Sequence, residues 1–271
     1  MLPLRIERAS KSGIRRANSG ISAGTILSAF IAIHILFPAL LIDLKAQETP
    51  PPVAPLAAPA VQTAHSPLGK SEAREVLLYN GEIKFDINKV PVLGPRDAKY
   101  IVLELFCYTC KQCRALHPQM KQAQARYGRE NFAIVVLPSP LNIECNPLVV
   151  RALHEHRYAC SYAEYGLAVA AANMEKFEEF HNWLMTGEQP PLLSAVRAKA
   201  YEMVGKENFD TARKSQKVKD WITDGVSIFK HVDADAIPQI ITDKRMSAII
   251  PTSVENLYTG LDQMTGLKPV E

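Results

Sequence analysis

Apolar positions along this 271-residue chain fall into three regimes. The first is unbroken: residues 21–42, ISAGTILSAFIAIHILFPALLI, carry no formal charge over 22 positions. As a helix this run is about 33 Å long, enough to cross a hydrocarbon core of about 30 Å. The second, residues 47–70, is dense in Pro and Ala, which predicts an extended, poorly packed spacer of about 3 Å per residue. The third begins near residue 72 and alternates short apolar runs with helical periodicity. EVLLYNGEIKFDI (75–87) predicts a strand pair turning at Asn80-Gly81. KYIVLELF (99–106) and NFAIVVLPSP (131–140) are the runs expected of strands covered on both faces. Between them, CKQCRALHPQMKQAQARYG predicts a helix ending near Gly128. A long, mainly helical stretch over about 147–231 follows, then IPQIITD (237–243), RMSAIIP (245–251) and a last helix near 252–265 opened by Thr252 or Ser253. Strand, helix, strand, helical insert, two strands, helix is α/β order. The roughly 200 residues of this regime suffice for one globular domain with its own core.

Charge turns the apolar run into a topology. Arg5, Arg8, Lys11, Arg15 and Arg16 precede it against the single acid Glu7, which holds the N-terminus in the cytoplasm and sends the rest of the chain across the membrane. A signal peptide cut after Ala46 is the alternative; the run exceeds the 7–15 residues usual for one, and Leu44 with Ala46 makes a poor cleavage site. Arg15-Arg16 lacks the rest of a twin-arginine signal. The expected organisation is a cytoplasmic basic tail (1–20), a transmembrane signal anchor (21–43), a Pro/Ala-rich linker (44–71) and an exported domain (72–271). Formal net charge is +3, and the tail supplies more than all of it, so the exported part is close to neutral and has no nucleic-acid footprint. His65 falls in the spacer as a solvated residue.

An exported location bears directly on the five cysteines. FCYTCKQCRALHP (106–118) spaces Cys107, Cys110 and Cys113 by three, followed by His117-Pro118. The spacing nearly copies a ferredoxin cluster run with His in place of the last Cys, and it equally contains a C-x-x-C dithiol. Cys110 falls where a buried strand gives way to a helix, so orphan N–H groups and the helix dipole favour its thiolate. Lys111 adds a positive charge beside it. Cys113 is one turn on, within disulfide reach. An exposed Cys110 thiolate would attack a substrate and Cys113 would resolve the mixed disulfide. Cys107, on the strand end, lacks that activation.

These residues resemble the DsbA-like branch of the thioredoxin superfamily over roughly 75–265. IVLELF carries Glu104 six residues before Cys110, where thioredoxin-like proteins keep a buried acid. CKQCRALHP is similar to the family's C-x-x-C-R-x-x-H-P stretch, with Pro118 as the proline that kinks the active-site helix. DADAIPQIITD resembles the strand opened by a cis-proline, here Ile237-Pro238, and the insert at 147–231 resembles the family's helical elaboration. The resemblance implies a thioredoxin fold and thiol–disulfide exchange, with Cys110, Cys113, Glu104 and Pro238 as the catalytic set. Glu104 would pass a proton to or from Cys113 through a water; Pro238 in cis would present the Ile237 backbone to an extended substrate. The alternatives are an ordinary solvent-facing strand acid and a trans edge-strand proline. His117, at i+4 from Cys113, either tunes the pair or belongs to the helix kink.

Cys145 and Cys160, in LNIECNPLVVRALHEHRYACSYAE, form the kind of pair that becomes a structural disulfide in an oxidising compartment. Closing about 15 residues contributes roughly 3 kcal/mol in the chain-entropy model. Related DsbA-like sequences carry a similar C-N-P…H-x-x-A-C pattern. A Cys₂His₂ metal site with His154 and His156 is the lesser alternative, because the spacing fits no zinc finger. Cys107 is then left over, where the family has Asp, Ser or a small residue. It is either an inert buried residue or a third redox thiol that traps or exchanges with Cys110.

The expected function is a membrane-tethered thiol–disulfide oxidoreductase acting on exported proteins, with a redox partner that resets it and no cofactor. A metal or Fe–S site through Cys107, Cys110 and Cys113, or a non-catalytic binding module, are the alternatives. Lys111-Gln112 is neither the Gly-Pro of thioredoxins nor the Pro-His of DsbA. A basic residue there stabilises thiolate, which favours oxidase or isomerase over reductase.

Overall fold

The computed structural model describes residues 5–6, 73–151, 153–244, 246–248 and 253–270. The expected anchor (21–43) and linker (44–71) lie outside them, and among the described residues no helix is long and apolar enough to cross a membrane. A three-stranded antiparallel sheet has the order β1 (Arg5–Ile6), β3 (Ile83–Asp86), β2 (Glu75–Leu78). Arg5 stands opposite Lys84, and Leu78 opposite Ile83. The chain reverses between β2 and β3 through Tyr79, Asn80 and Gly81, all at positive φ, which is the backbone that Asn-Gly favours.

The main sheet has five strands in the order β4 (Val92–Leu93), β6 (Phe132–Pro138), β5 (Tyr100–Phe106), β7 (Gln239–Ile241), β8 (Met246–Ala248). Only β5 and β6 run parallel, joined by α1 (Lys111–Tyr127). Every residue of β6 is buried, as is β5 from Val102 onward, which explains why both read as continuous apolar runs. Two-residue β4 was not foreseen: it is too short for any periodicity. Gly128 ends α1 at φ 81°, and Ser253 caps α7 (Val254–Thr265) by accepting from the N–H of Asn256. Helices α1 and α7 are tied by Tyr127, whose hydroxyl donates to Asp262 Oδ1 at 2.6 Å.

The insert differs from one long helix. It opens with an irregular loop and a single 3₁₀ turn at His154–His156, then forms α2 (Ala159–Ala172), α3 (Met174–Leu184), α4 (Leu193–Val204), α5 (Lys206–Arg213) and α6 (Gln216–His231). Breaks fall at local stop signals: Asn173 caps α3, Gly205 separates α4 from α5 at φ 80°, and Ser215 caps α6. Small residues on α2 let its neighbours close in. At Gly166 a Cβ would stand 2.3 Å from the hydroxyl of Tyr108, so the helix reaches the turn before α1 only because this residue has no side chain.

Candidate active site

Strand β5 ends at Phe106, and the next four residues turn the chain into α1. The N–H of Cys110 donates to the carbonyl of Cys107 at 3.0 Å, and Cys110 occupies the N-cap with its own carbonyl accepting from Arg114 N at 3.0 Å. This places Cys110 at the open N-terminus of the helix and Cys113 one turn in. The N–H of Cys107 points at the Cys113 sulfur, 3.5 Å away. All three cysteines are free thiols and buried.

Their environments separate the pair. The Cys113 thiol, donating a hydrogen bond to Cys110, is the main influence bringing Cys110 down to about 7; the N–H groups of Cys113 and Gln112 add to it, against burial, which pushes up. Burial drives Cys113 itself well above its ordinary value. Two details depart from the sequence reading. Lys111 is exposed and is not among the groups that lower Cys110, because a solvated ammonium is screened. Cys110 is only 4% exposed rather than open, since it sits in the crook between strand end and helix start.

Glu104 lies at the centre of the sheet, in register with Val136 of β6 and Ile240 of β7, and is 2% exposed. Burial raises its carboxyl to about 8, so it holds its proton at neutral pH. On the other side, the Ile237–Pro238 peptide bond is cis. Gln239 pairs with Leu105, so Pro238 and Ile237 run alongside the end of β5 from which the cysteine turn departs.

No protein-family model matches the chain, and no curated protein does. Solved structures do match. Proteus mirabilis ScsC in a compact conformation superposes with a TM-score of 0.51 at 12% identity, over 65% of this chain and 74% of that one. The catalytic domain of the same protein gives 0.50 at 13%, over 65% and 89%. Oxidised BdbD from Bacillus subtilis gives 0.50 at 15%, over 72% and 98%. The fold is a thioredoxin-like α/β fold with a helical insertion. Its helical insertion is α2–α6, between β6 and β7.

The structure also shows what sequence reasoning missed. Arg114, 3% exposed, donates to five carbonyls: Tyr108, Leu184, Thr186, Gly187 and Gln189, at 2.6–3.0 Å. It ties the turn before α1 to the α3–α4 loop. We expect Arg114→Ala to leave these carbonyls short of donors and to cost about 3 kcal/mol in urea unfolding. That corresponds to a melting point lower by roughly 6–12 °C, and Arg114→Lys should not recover it, since a single ammonium cannot span five acceptors. His181, buried on α3, meets the Tyr108 hydroxyl at 3.0 Å through Nδ1. His117 stacks edge-on against His181 at 5.1 Å between ring centroids. Burial, then Lys121, lowers His117 to about 4, which keeps it neutral.

Cys145 and Cys160 are bonded to each other, S–S 2.04 Å. The bridge leaves neither thiol for a metal. Among the described residues no three His, Cys, Asp or Glu side chains are grouped to hold one, including Cys107, Cys110 and Cys113 with His117. His156 instead meets the Thr109 hydroxyl through Nδ1 at 2.8 Å.

Proposed function

We propose that the protein is a thiol–disulfide oxidoreductase that exchanges disulfides with exported protein substrates. One observation carries this reading: in a DsbA-like fold, Cys110 sits at the N-terminus of α1 with a value near 7, hydrogen-bonded by a Cys113 that burial keeps protonated. Cys110 attacks a substrate sulfur; Cys113 then attacks Cys110 and releases the substrate. Glu104 takes or returns the Cys113 proton through a water, and the Ile237–Pro238 edge offers backbone to an extended chain. The Cys145–Cys160 bridge is structural. A separate redox partner resets the pair.

The test is alkylation of Cys110 against pH, with Cys110→Ser as blank. The rate should rise through a midpoint near 7, and Lys111→Gln should move that midpoint by less than about half a unit. Failure of glutathione disulfide to close Cys110–Cys113 would overturn the assignment. Stabilising the Cys110 thiolate favours the reduced form, so we assign the oxidase or isomerase direction. A value near 7 belongs to the less oxidising end of that range. A potential between about −180 and −250 mV is expected, and a lower one identifies a reductase.

The tether reading rests on the charge-free run at 21–42 behind five cations. With that run in the bilayer, Arg5–Ile6 stays in the cytoplasm and cannot pair with β3; the pairing and the span exclude each other. Protease added outside spheroplasts should digest the domain and leave the basic tail intact. Cleavage of both would reject the anchor.

A further inference from the structure

The Cys110–Cys113 mechanism leaves Cys107 unused; burial pushes its thiol up, so it would need a base to attack, and its polar neighbours form a path to one. Its N–H faces the Cys113 sulfur at 3.5 Å, so residue 107 already borders the resolving thiol. Its own sulfur stands 3.2 Å from Thr109 Oγ1, which stands 2.8 Å from His156 Nδ1. These contacts form a continuous path from a buried thiol to a buried imidazole 49 positions along the chain. His156 is presented by the insert's loop: Asn142 Nδ2 donates to the carbonyls of His156 and Arg157 at 3.2 and 3.0 Å, and the Cys145–Cys160 bridge closes the segment that carries them. Burial keeps His156 neutral, so Nδ1 can accept from the Thr109 hydroxyl while that oxygen accepts from the Cys107 thiol.

We propose that Cys107 is a third redox thiol, which exchanges into the oxidised site by attacking Cys113, with Thr109 and His156 as the path that takes its proton. The proposal rests on the thiol–disulfide reading above. The exchange begins from the Cys110–Cys113 disulfide. The Cys107 proton passes to Thr109 as the Thr109 proton passes to His156. The Cys107 sulfur turns about χ1 and attacks Cys113; the Cys107–Cys113 bond forms, the Cys110–Cys113 bond breaks, and Cys110 leaves as a thiolate. No electrons are gained or lost, so no further oxidant is needed. The result is a fully oxidised protein with a free nucleophile at Cys110. Such a form can open a substrate disulfide without first being reduced, which the Cys110–Cys113 disulfide, having no free thiolate, cannot do. His156 and Thr109 act here as positioning and proton-accepting groups.

Peptide mapping tests the exchange in the full-length protein. The protein is oxidised with glutathione disulfide, acid-quenched, alkylated and cut with trypsin after Lys99, Lys111 and Arg114. Both disulfides then join peptide 100–111 to peptide 112–114, and they differ in whether the alkyl group sits on Cys107 or Cys110. In the wild type about 1–10% of the joined peptide should carry it on Cys110, the range of a minor state. In Cys110→Ser, Cys107–Cys113 should form. Thr109→Val on that background should slow its formation by about 10²-fold or more, the least that positioned proton transfer typically contributes, and Thr109→Ser should not. Wild-type protein alkylated only on Cys107, together with free Cys107 and Cys113 in oxidised Cys110→Ser, overturns the third-thiol role and leaves the function standing. Equal rates for Thr109→Val and Thr109→Ser overturn the proton path. If the wild type closes no disulfide among these three thiols, the functional reading itself has failed.

Discussion

Cys113→Ser should convert the protein from a turnover catalyst into a covalent trap, while Cys110→Ser should remove exchange with substrates altogether. The asymmetry follows from the environments of the two sulfurs. Cys110 is held near 7 and is partly thiolate at neutral pH, which is why the proposed mechanism gives it the first attack. Cys113 is fully buried and its value is pushed well up, so it never competes for that attack. Once Cys110 is joined to a substrate, the proposed mechanism has Cys113, one turn along α1, release it. In Cys113→Ser the mixed disulfide should persist and be visible as a shifted band without reductant, with turnover down by roughly 10³-fold or more. Cys113→Ala, which leaves no side-chain donor at this position, should also raise the Cys110 alkylation midpoint, because the Cys113 hydrogen bond is the largest influence lowering it. A Cys113→Ser protein that releases substrate at the wild-type rate would mean that resolution comes from elsewhere.

Glu104 should leave its mark on both stability and rate. Its carboxyl has an ordinary value of 4.5 and is raised by burial to about 8 in the fold. A raised carboxyl binds its proton more tightly folded than unfolded. Its contribution is whole below about 4.5, is lost as pH rises through that window, and levels off above 8. At 1.36 kcal/mol per pH unit the total is roughly 4–5 kcal/mol, with no solvent screening to reduce it at a buried site. Wild type should therefore lose stability between pH 5 and about 8 in urea titrations. Glu104→Gln should flatten that segment of the profile. The same variant should slow resolution by Cys113 about 10²-fold above pH 8, where Glu104 is ionised, since an amide cannot take a proton from a thiol that burial keeps protonated. Flattening without slowing would make Glu104 a structural acid only.

These two expectations differ in how far the sequence alone supports them. The strand ending at Phe106, the helix from Lys111 and the roles proposed for Cys110 and Cys113 follow from local features: an apolar run, a helix start and a three-residue spacing. The turn at Asn80-Gly81 and the caps at Gly128 and Ser253 are equally local, because the residue that stops or starts an element lies within a few positions of it. Glu104 was legible as a candidate, but its burial depends on β6 and β7 flanking β5, strands that arrive about 30 and 135 positions later.

What the sequence determined by itself is the order of the longer elements, the cysteine spacing and the charge-free run that suggests export, since each is written in adjacent residues. The tertiary structure alone decided which groups act on the cysteines. It withdrew Lys111, whose charge lies in water, and put the Cys113 thiol and two backbone N–H groups in its place. It gave Arg114 five carbonyls, four of them about 70 positions away at the end of α3 and in the α3–α4 loop. It also brought His156 to Thr109, 47 positions apart. Hydrogen bonds and burial act over a few ångströms of space, and no periodicity along the chain records which distant residues will share that space.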